Sequence, residues 1–113
     1  MGNLVSIYEL GEISEVLAKA SPAMALVNVY MGAVDERNGV RVKKTELADA
    51  LGKTRRTISE WIIKLCKYGV IKYKYSGETR LNPFFYYNGT LKDYERAKQE
   101  WQEFKSDIPA LKN

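Results

Sequence analysis

Between Thr54 and Lys64 the chain reads Thr-Arg-Arg-Thr-Ile-Ser-Glu-Trp-Ile-Ile-Lys, a run dense in hydrogen-bonding side chains. Arg55 and Arg56 could each address guanine O6 and N7 through two parallel bonds, and Thr57 and Ser59 could reach a base edge or a phosphate. Thr54 with the first amides of a following helix could hold a phosphate, while Glu60 and Lys64 complete the polar set. Lys43, Lys44 and Lys53 precede this run, and Lys72, Lys74 and Arg80 follow it. The chemistry that these types imply is reversible recognition of a polyanion. The charge distribution agrees: Arg37 to Arg80 holds twelve Lys/Arg against four acids, a balance of +8 in a chain whose net charge is +4, so the remainder carries −4. Such segregation is the electrostatic footprint of a phosphate-binding surface.

What is missing narrows the field further. Histidine is absent and there is one cysteine, which excludes a Ser-His-Asp triad, a His-ligated zinc site, a His-metal nicking centre and a thiolate cluster. No glycine-rich phosphate loop or carboxylate cluster at metal-ligand spacing is present. The expectation is therefore a non-enzyme with no cofactor and no metal. A single cysteine, no signal-like start and no membrane-length apolar run point to a cytoplasmic setting. Cys66 falls late in the basic run's helix, where a thiol ordinarily behaves as a small apolar group rather than a redox switch.

The elements that would position these residues can be read from spacing and punctuation. A β-prone run from Leu4 to Leu10, whose state is open, leads to a helix over Glu12 to Ala20. Ser21 is expected to cap a second helix with Pro22 at its first position, running through Met24, Leu26, Val27, Val29, Tyr30 and Val34 until Asp35 to Gly39 breaks it. Val40 to Val42 makes a small strand. Thr45 caps a helix carrying Leu47, Ala48 and Leu51 that stops at Gly52. Thr54 caps the basic helix, with Ile58, Ile62, Leu65 and part of Trp61 inward. The spacing Ala48, Gly52, Ile58, Ile62, Leu65 lets two helices cross closely at a steep angle.

After Gly69, Val70 to Tyr75 alternates apolar and basic residues and turns through Ser76-Gly77-Glu78 into Thr79 to Leu81. The result is a hairpin with Lys72 and Lys74 on one face and Tyr73 and Tyr75 on the other. Beside the basic helix, it would set Lys72, Lys74 and Arg80 against phosphates. A second reading takes Tyr73, Tyr75, Phe84, Phe85, Tyr86 and Tyr87, interleaved with lysines, as a stacking platform for single strands. A last helix starts at Thr90 and runs to about 108, with Leu91, Tyr94, Ala97, Trp101, Phe104 and Ile108 in one stripe. That stripe either completes the core or pairs two chains.

Helix, turn, basic helix and hairpin in that order are the layout of a winged helix-turn-helix. The expected fold is α+β, mainly α, with a small three-stranded sheet and an additional C-terminal helix. One domain is expected over 1-113: a core at about 21-89, an extension at 1-20 and the last helix at about 90-108. The span from about Leu4 to Trp101 resembles plasmid and phage replication proteins of the RepL type from Firmicutes. The segment TELADALGKTRRTISEWIIKLCKYGVI is generic to winged helices; Asn82, Pro83, Phe84, Phe85 and Gly89 in RLNPFFYYNG carry the likeness more specifically.

The resemblance implies a binder of double-stranded DNA at an origin or operator of a small replicon. It sets Arg55, Arg56, Thr57 and Ser59 at the recognition positions and Lys72, Lys74 and Arg80 in the wing. Glu60 and Ile63 depart from the basic residues usual in such helices. Replication initiation and transcriptional regulation of a mobile element need the same contacts, and both stay open. So does a winged-helix protein-interaction module working through Trp61, Ile63 and the C-terminal stripe. Expected partners are duplex DNA, a second copy held through the N-terminal segment and C-terminal helix, and host replication or transcription proteins; no membrane is expected.

Overall fold

The structure, a computed structural model, describes residues 21–110. The β-prone run at 4–10, the helix at 12–20 and the N-terminal half of the expected dimer contact lie outside the described residues.

Pro22 opens a 3-10 turn, Ser21–Ala23, and helix α1 follows over Met24–Ala33. The expected Ser21 cap is thus displaced: Ala23 occupies the N-cap and no side chain caps this helix. Proline's fixed φ and missing N–H suit the start of either helix type, so the residue alone does not choose between them. Leu26, Val27 and Tyr30 lie on the inward face of α1 and are buried. The helix stops at Ala33, with Val34 already extended.

Asn38 then takes a left-handed conformation, φ 57°, which asparagine tolerates better than most residues. Its side chain is used as a strut: Nδ2 donates to the carbonyls of Leu81 at 3.2 Å and Tyr86 at 2.6 Å.

Three short strands form one antiparallel sheet in the order β1-β3-β2: β1 Gly39–Arg41, β2 Ile71–Tyr73 and β3 Glu78–Leu81. Gly39 lies opposite Arg80 and Arg41 opposite Glu78, while Ile71 and Tyr73 lie opposite Leu81 and Thr79. Period-2 alternation turns Ile71, Tyr73, Thr79 and Leu81 to the core and leaves Lys72, Glu78 and Arg80 on the outer face. The second strand ends at Tyr73, not Tyr75. Lys74 N–H donates to Glu78 C=O at 2.9 Å and Gly77 N–H to Lys74 C=O at 2.8 Å, a type of tight turn closed by a bulged glycine. Gly77 fits that role with φ 97°.

Helix α2 is Lys44–Leu51 and helix α3 Arg55–Lys67. Lys43, not Thr45, is the N-cap of α2, and Glu46 reaches back to accept its N–H at 3.1 Å. Gly52 ends α2 in the left-handed region, and Lys53 N–H donates to Ala48 C=O at 3.0 Å, so the two bonds of a left-handed cap close the helix as expected. Thr54 caps α3 by accepting Thr57 N–H at 3.1 Å. Leu47 and Ala48 from α2 and Ile58, Ile62, Leu65 and Cys66 from α3 join α1 and the sheet in one buried core.

Helix α4, Leu91–Glu103, is capped by Thr90. It ends five residues short of the expected limit at 108, because Phe104 turns extended. Tyr94 and Ala97 close a second small core with Tyr87, whose hydroxyl donates to Glu36 C=O at 2.7 Å. Leu91, the first residue of the expected stripe, is exposed, and Ile108 packs on the main core from outside the helix.

The residues after α4 run along the outer edge of β2. Ser106 Oγ accepts Tyr73 N–H at 3.0 Å, Asp107 N–H donates to Tyr73 C=O at 2.7 Å, and the Asp107 carboxylate accepts Tyr75 N–H at 2.8 Å.

Candidate nucleic-acid interface

Helix α3 divides as its sequence demands. Ile58, Ile62, Leu65 and Cys66 are buried, and Arg56, Glu60, Ile63 and Lys67 follow one another at i, i+4, i+7 and i+11 along the exposed face. Thr57, Ser59 and Lys64 flank this strip, half-buried. Arg55 is exposed at the first turn, and Thr54 is spent as the cap, its own hydroxyl lying 3.1 Å from Thr57 Oγ1. Among the described residues neither Arg55 nor Arg56 is paired with an acid. Lys53 is exposed in the turn between the helices. Lys67 was not among the residues expected from sequence, although alternating steps of four and three from Arg56 through Glu60 and Ile63 reach it.

A cleft of about 280 Å³ links this helix to the hairpin. Lys43 and Lys44 at the start of α2, Arg55 at the start of α3, and Tyr73, Tyr75 and Gly77 line it, and none of its lining residues is acidic. Lys44 Nζ stands 5.5 Å from the Tyr73 ring centre and 5.8 Å from that of Tyr75. Tyr75 is 69% exposed and meets Tyr73 edge-on at 6.2 Å. Strand parity had put both tyrosines on one face; because the turn begins at Lys74, the second ring is carried outward to the hairpin tip. Arg41 is exposed on β1 beside that tip, its Cγ within 3.9 Å of where a Gly77 side chain would start.

Lys72, Lys74 and Arg80 are placed differently from the expectation. The outer face of the sheet is covered by the C-terminal end of α4 rather than turned to the side of α3. Lys72 Nζ donates to the Trp101 carbonyl and lies 4.6 Å from its ring centre, and burial holds its amine below the usual lysine range. Lys74 stands over Phe104 at 4.7 Å. Arg80, with 16% of its side chain exposed, stacks on Phe104 at 5.3 Å and pairs with Glu100 at 3.7 Å and Glu78 at 3.6 Å. Arg37 joins the same group through Glu100 at 3.3 Å. Arg80 can lie flat because its cross-strand neighbour is Gly39, where any Cβ would come within 2.5 Å of its guanidinium.

The physical reason is that long cationic side chains lay their methylenes on aromatic surface as readily as they project to a phosphate. The α4 stripe supplies that surface. Trp101 and Phe104 are therefore already occupied within the chain.

Asn82, on which the family resemblance partly rests, is structural. It donates from Nδ2 to Gly69 C=O at 2.8 Å and accepts Phe84 N–H at 2.8 Å, tying the end of α3 to the segment leading to α4. Gly89 packs under the Tyr87 ring, where a Cβ would come within 2.8 Å. Cys66 is buried, and that burial pushes its thiol up to about 11, which suits an inert packing group. Among the described residues no group of three or more His, Cys, Asp and Glu side chains could hold a metal, and no helix is long and apolar enough to cross a membrane.

Comparison with protein-family models, with curated proteins and with solved structures finds no match to this chain.

Proposed function

We propose that the chain is a winged helix-turn-helix protein that binds duplex DNA sequence-specifically, with α3 in the major groove. The observation that carries the reading is the cleft shared by the starts of α2 and α3 and the hairpin tip. Through Arg55 it brings the head of α3's exposed strip beside Lys43, Lys44 and the tip, a mainly basic surface whose acids are Glu60 on the strip, Glu46 against the Lys43 N–H and Asp107 against the Tyr75 N–H. Arg56, Glu60, Ile63 and Lys67 lie along the helix, and Thr57 and Arg55 lie at its N-terminal end, the part that reaches base edges when such a helix docks. The cations at the starts of α2 and α3 then meet the backbone, which positions the protein without reading sequence. The hairpin contributes its tip and not its face, because Lys72 and Arg80 are engaged by α4. This footprint differs from the one the family resemblance implied.

The resemblance to plasmid and phage replication proteins favours an origin as the site. Asn82 and Gly89, however, make contacts within the fold, so repression of a mobile element's own genes fits the same surface.

Selection of bound duplexes from a random pool tests the reading. A recovered consensus supports it, and a symmetric one would add a second copy of the chain. Affinity must also fall as salt rises, with a log–log slope of about −0.9 for each phosphate neutralised. No enrichment and no salt-dependent binding would overturn it.

A further inference from the structure

Contacts of cations with duplex phosphates leave one feature of the cleft unaccounted for, the exposed ring of Tyr75. An aromatic side chain 69% exposed at the end of a hairpin is costly in water, and its edge-on contact with Tyr73 and the nearby Lys44 ammonium leave most of the ring uncovered. The backbone that carries the ring is held in place. Its N–H is bound to the Asp107 carboxylate at 2.8 Å, and the turn beneath it is closed by the Gly77-to-Lys74 and Lys74-to-Glu78 bonds. Lys43, Lys44 and Arg55 converge on the adjoining cleft, whose volume of about 280 Å³ exceeds the needs of one phosphate. An exposed aromatic ring on a braced turn beside a cluster of cations is the arrangement by which proteins hold an unstacked base and its phosphate.

We propose that this cleft is a seat for an unpaired nucleotide: the base stacks on Tyr75, and its phosphate lies among Lys43, Lys44 and Arg55. The protein therefore binds duplex DNA flanked by a short unpaired stretch more tightly than continuous duplex of the same sequence. The inference rests on the duplex reading, since α3 supplies the anchor that brings the junction to the hairpin tip. It also reconciles the sequence's two nucleic-acid readings. The aromatic cluster is not an open platform, because Tyr73 and Tyr87 are buried and Phe84, Phe85 and Tyr86 half-buried, and Tyr75 is its exposed member.

The test is fluorescence anisotropy on one selected duplex prepared continuous, with a four-nucleotide overhang at either end, and with a central four-nucleotide bubble. The full chain is compared with Tyr75→Ala, Tyr75→Phe and Arg56→Ala. One interrupted substrate should bind at least about fivefold more tightly than the continuous duplex, the scale of one base–aromatic stack. Tyr75→Ala should bring the ratio of interrupted to continuous affinity to about one, whatever it does to duplex binding itself, and Tyr75→Phe should keep the ratio. Arg56→Ala should weaken all substrates and keep the ratio. Equal affinity for all substrates, or a preference that survives Tyr75→Ala, overturns the nucleotide seat while leaving the duplex reading standing. Absence of binding to any duplex overturns both.

Discussion

Replacing Lys43 and Lys44 together by glutamine should flatten the salt dependence of duplex binding, whereas replacing Lys72 should leave it alone and weaken the fold. The first pair lines the cleft at the start of α2 among residues none of which is acidic. If each ammonium neutralises one phosphate, removing both changes the slope of log affinity against log salt by about 1.8. Stability should fall by no more than about 0.5–1 kcal/mol, the worth of the Lys44 ammonium over the Tyr73 and Tyr75 rings at 5.5 and 5.8 Å, since neither lysine side chain lies in the core. Lys72 is bound to the Trp101 carbonyl and lies 4.6 Å from the Trp101 ring. A partly desolvated cation–π contact contributes about 0.5–2 kcal/mol, and a hydrogen bond from a charged donor about 1.5–3 kcal/mol. Both come from one ammonium that is still partly wet, so Lys72→Gln should cost about 1–2 kcal/mol, or roughly 5–10 °C in Tm. Anisotropy titrations at several salt concentrations give the slopes, and urea unfolding followed by tryptophan fluorescence gives the stabilities. If Lys72→Gln flattens the slope as much as the double substitution and leaves stability unchanged, the wing faces DNA and the α4 contact is wrong.

Arg56→Ala should cost about 1–3 kcal/mol on a selected site and relax one base position, if that guanidinium reads a base; equal losses on selected and random duplex would show a phosphate contact instead. Asn82→Ala removes one bond to Gly69 and one from Phe84 and should lower stability by about 1–3 kcal/mol, with DNA affinity per folded molecule unchanged; a selective loss of binding would give Asn82 a direct role. The thiol of Cys66 is raised by burial from 9.0 to about 11, so the unfolded chain releases that proton first as pH rises. Stability should be flat below the ordinary thiol range and fall between pH 9 and 11. Burial of Tyr73 and Tyr87 acts in the same direction. Thermal melts of the parent and Cys66→Ala at pH 8, 9 and 10 would show it, and an identical pH dependence in both would refute the assignment to Cys66.

Local punctuation was legible where it has one physical meaning. Gly52 and Gly69 adopt φ of 63° and 74°, and the Thr54 and Thr90 hydroxyls each accept the amide proton of the third residue of their helix. The start of α2 was misread because Thr45 looks like a cap, while the deciding contact is Glu46 reaching back to Lys43. The C-terminal stripe misled for another reason. Ile108 continues the helical period by coincidence across a segment that Phe104 has already turned extended. Strand alternation correctly separated Lys72 from Tyr73 but says nothing about what covers each face. That depends on where α4 lies, which is a tertiary fact. For the same reason the exposed face of α3 was legible from spacing, whereas the meeting of Lys43, Lys44 and Arg55 in one cleft and the engagement of Lys72 and Arg80 by α4 were not.

Ser106 and Asp107 finish the sheet at β2 with two side chains and one peptide N–H instead of another strand. A chain cut before Ser106, or spliced there to another protein, would leave the Tyr73 amide and carbonyl and the Tyr75 amide bare on an edge rich in tyrosine. Such an edge recruits strands from neighbouring molecules. Residues 106 and 107 thus work as a stopper against fibre-like stacking, and a purification tag is safe beyond Ile108 and hazardous just ahead of Ser106.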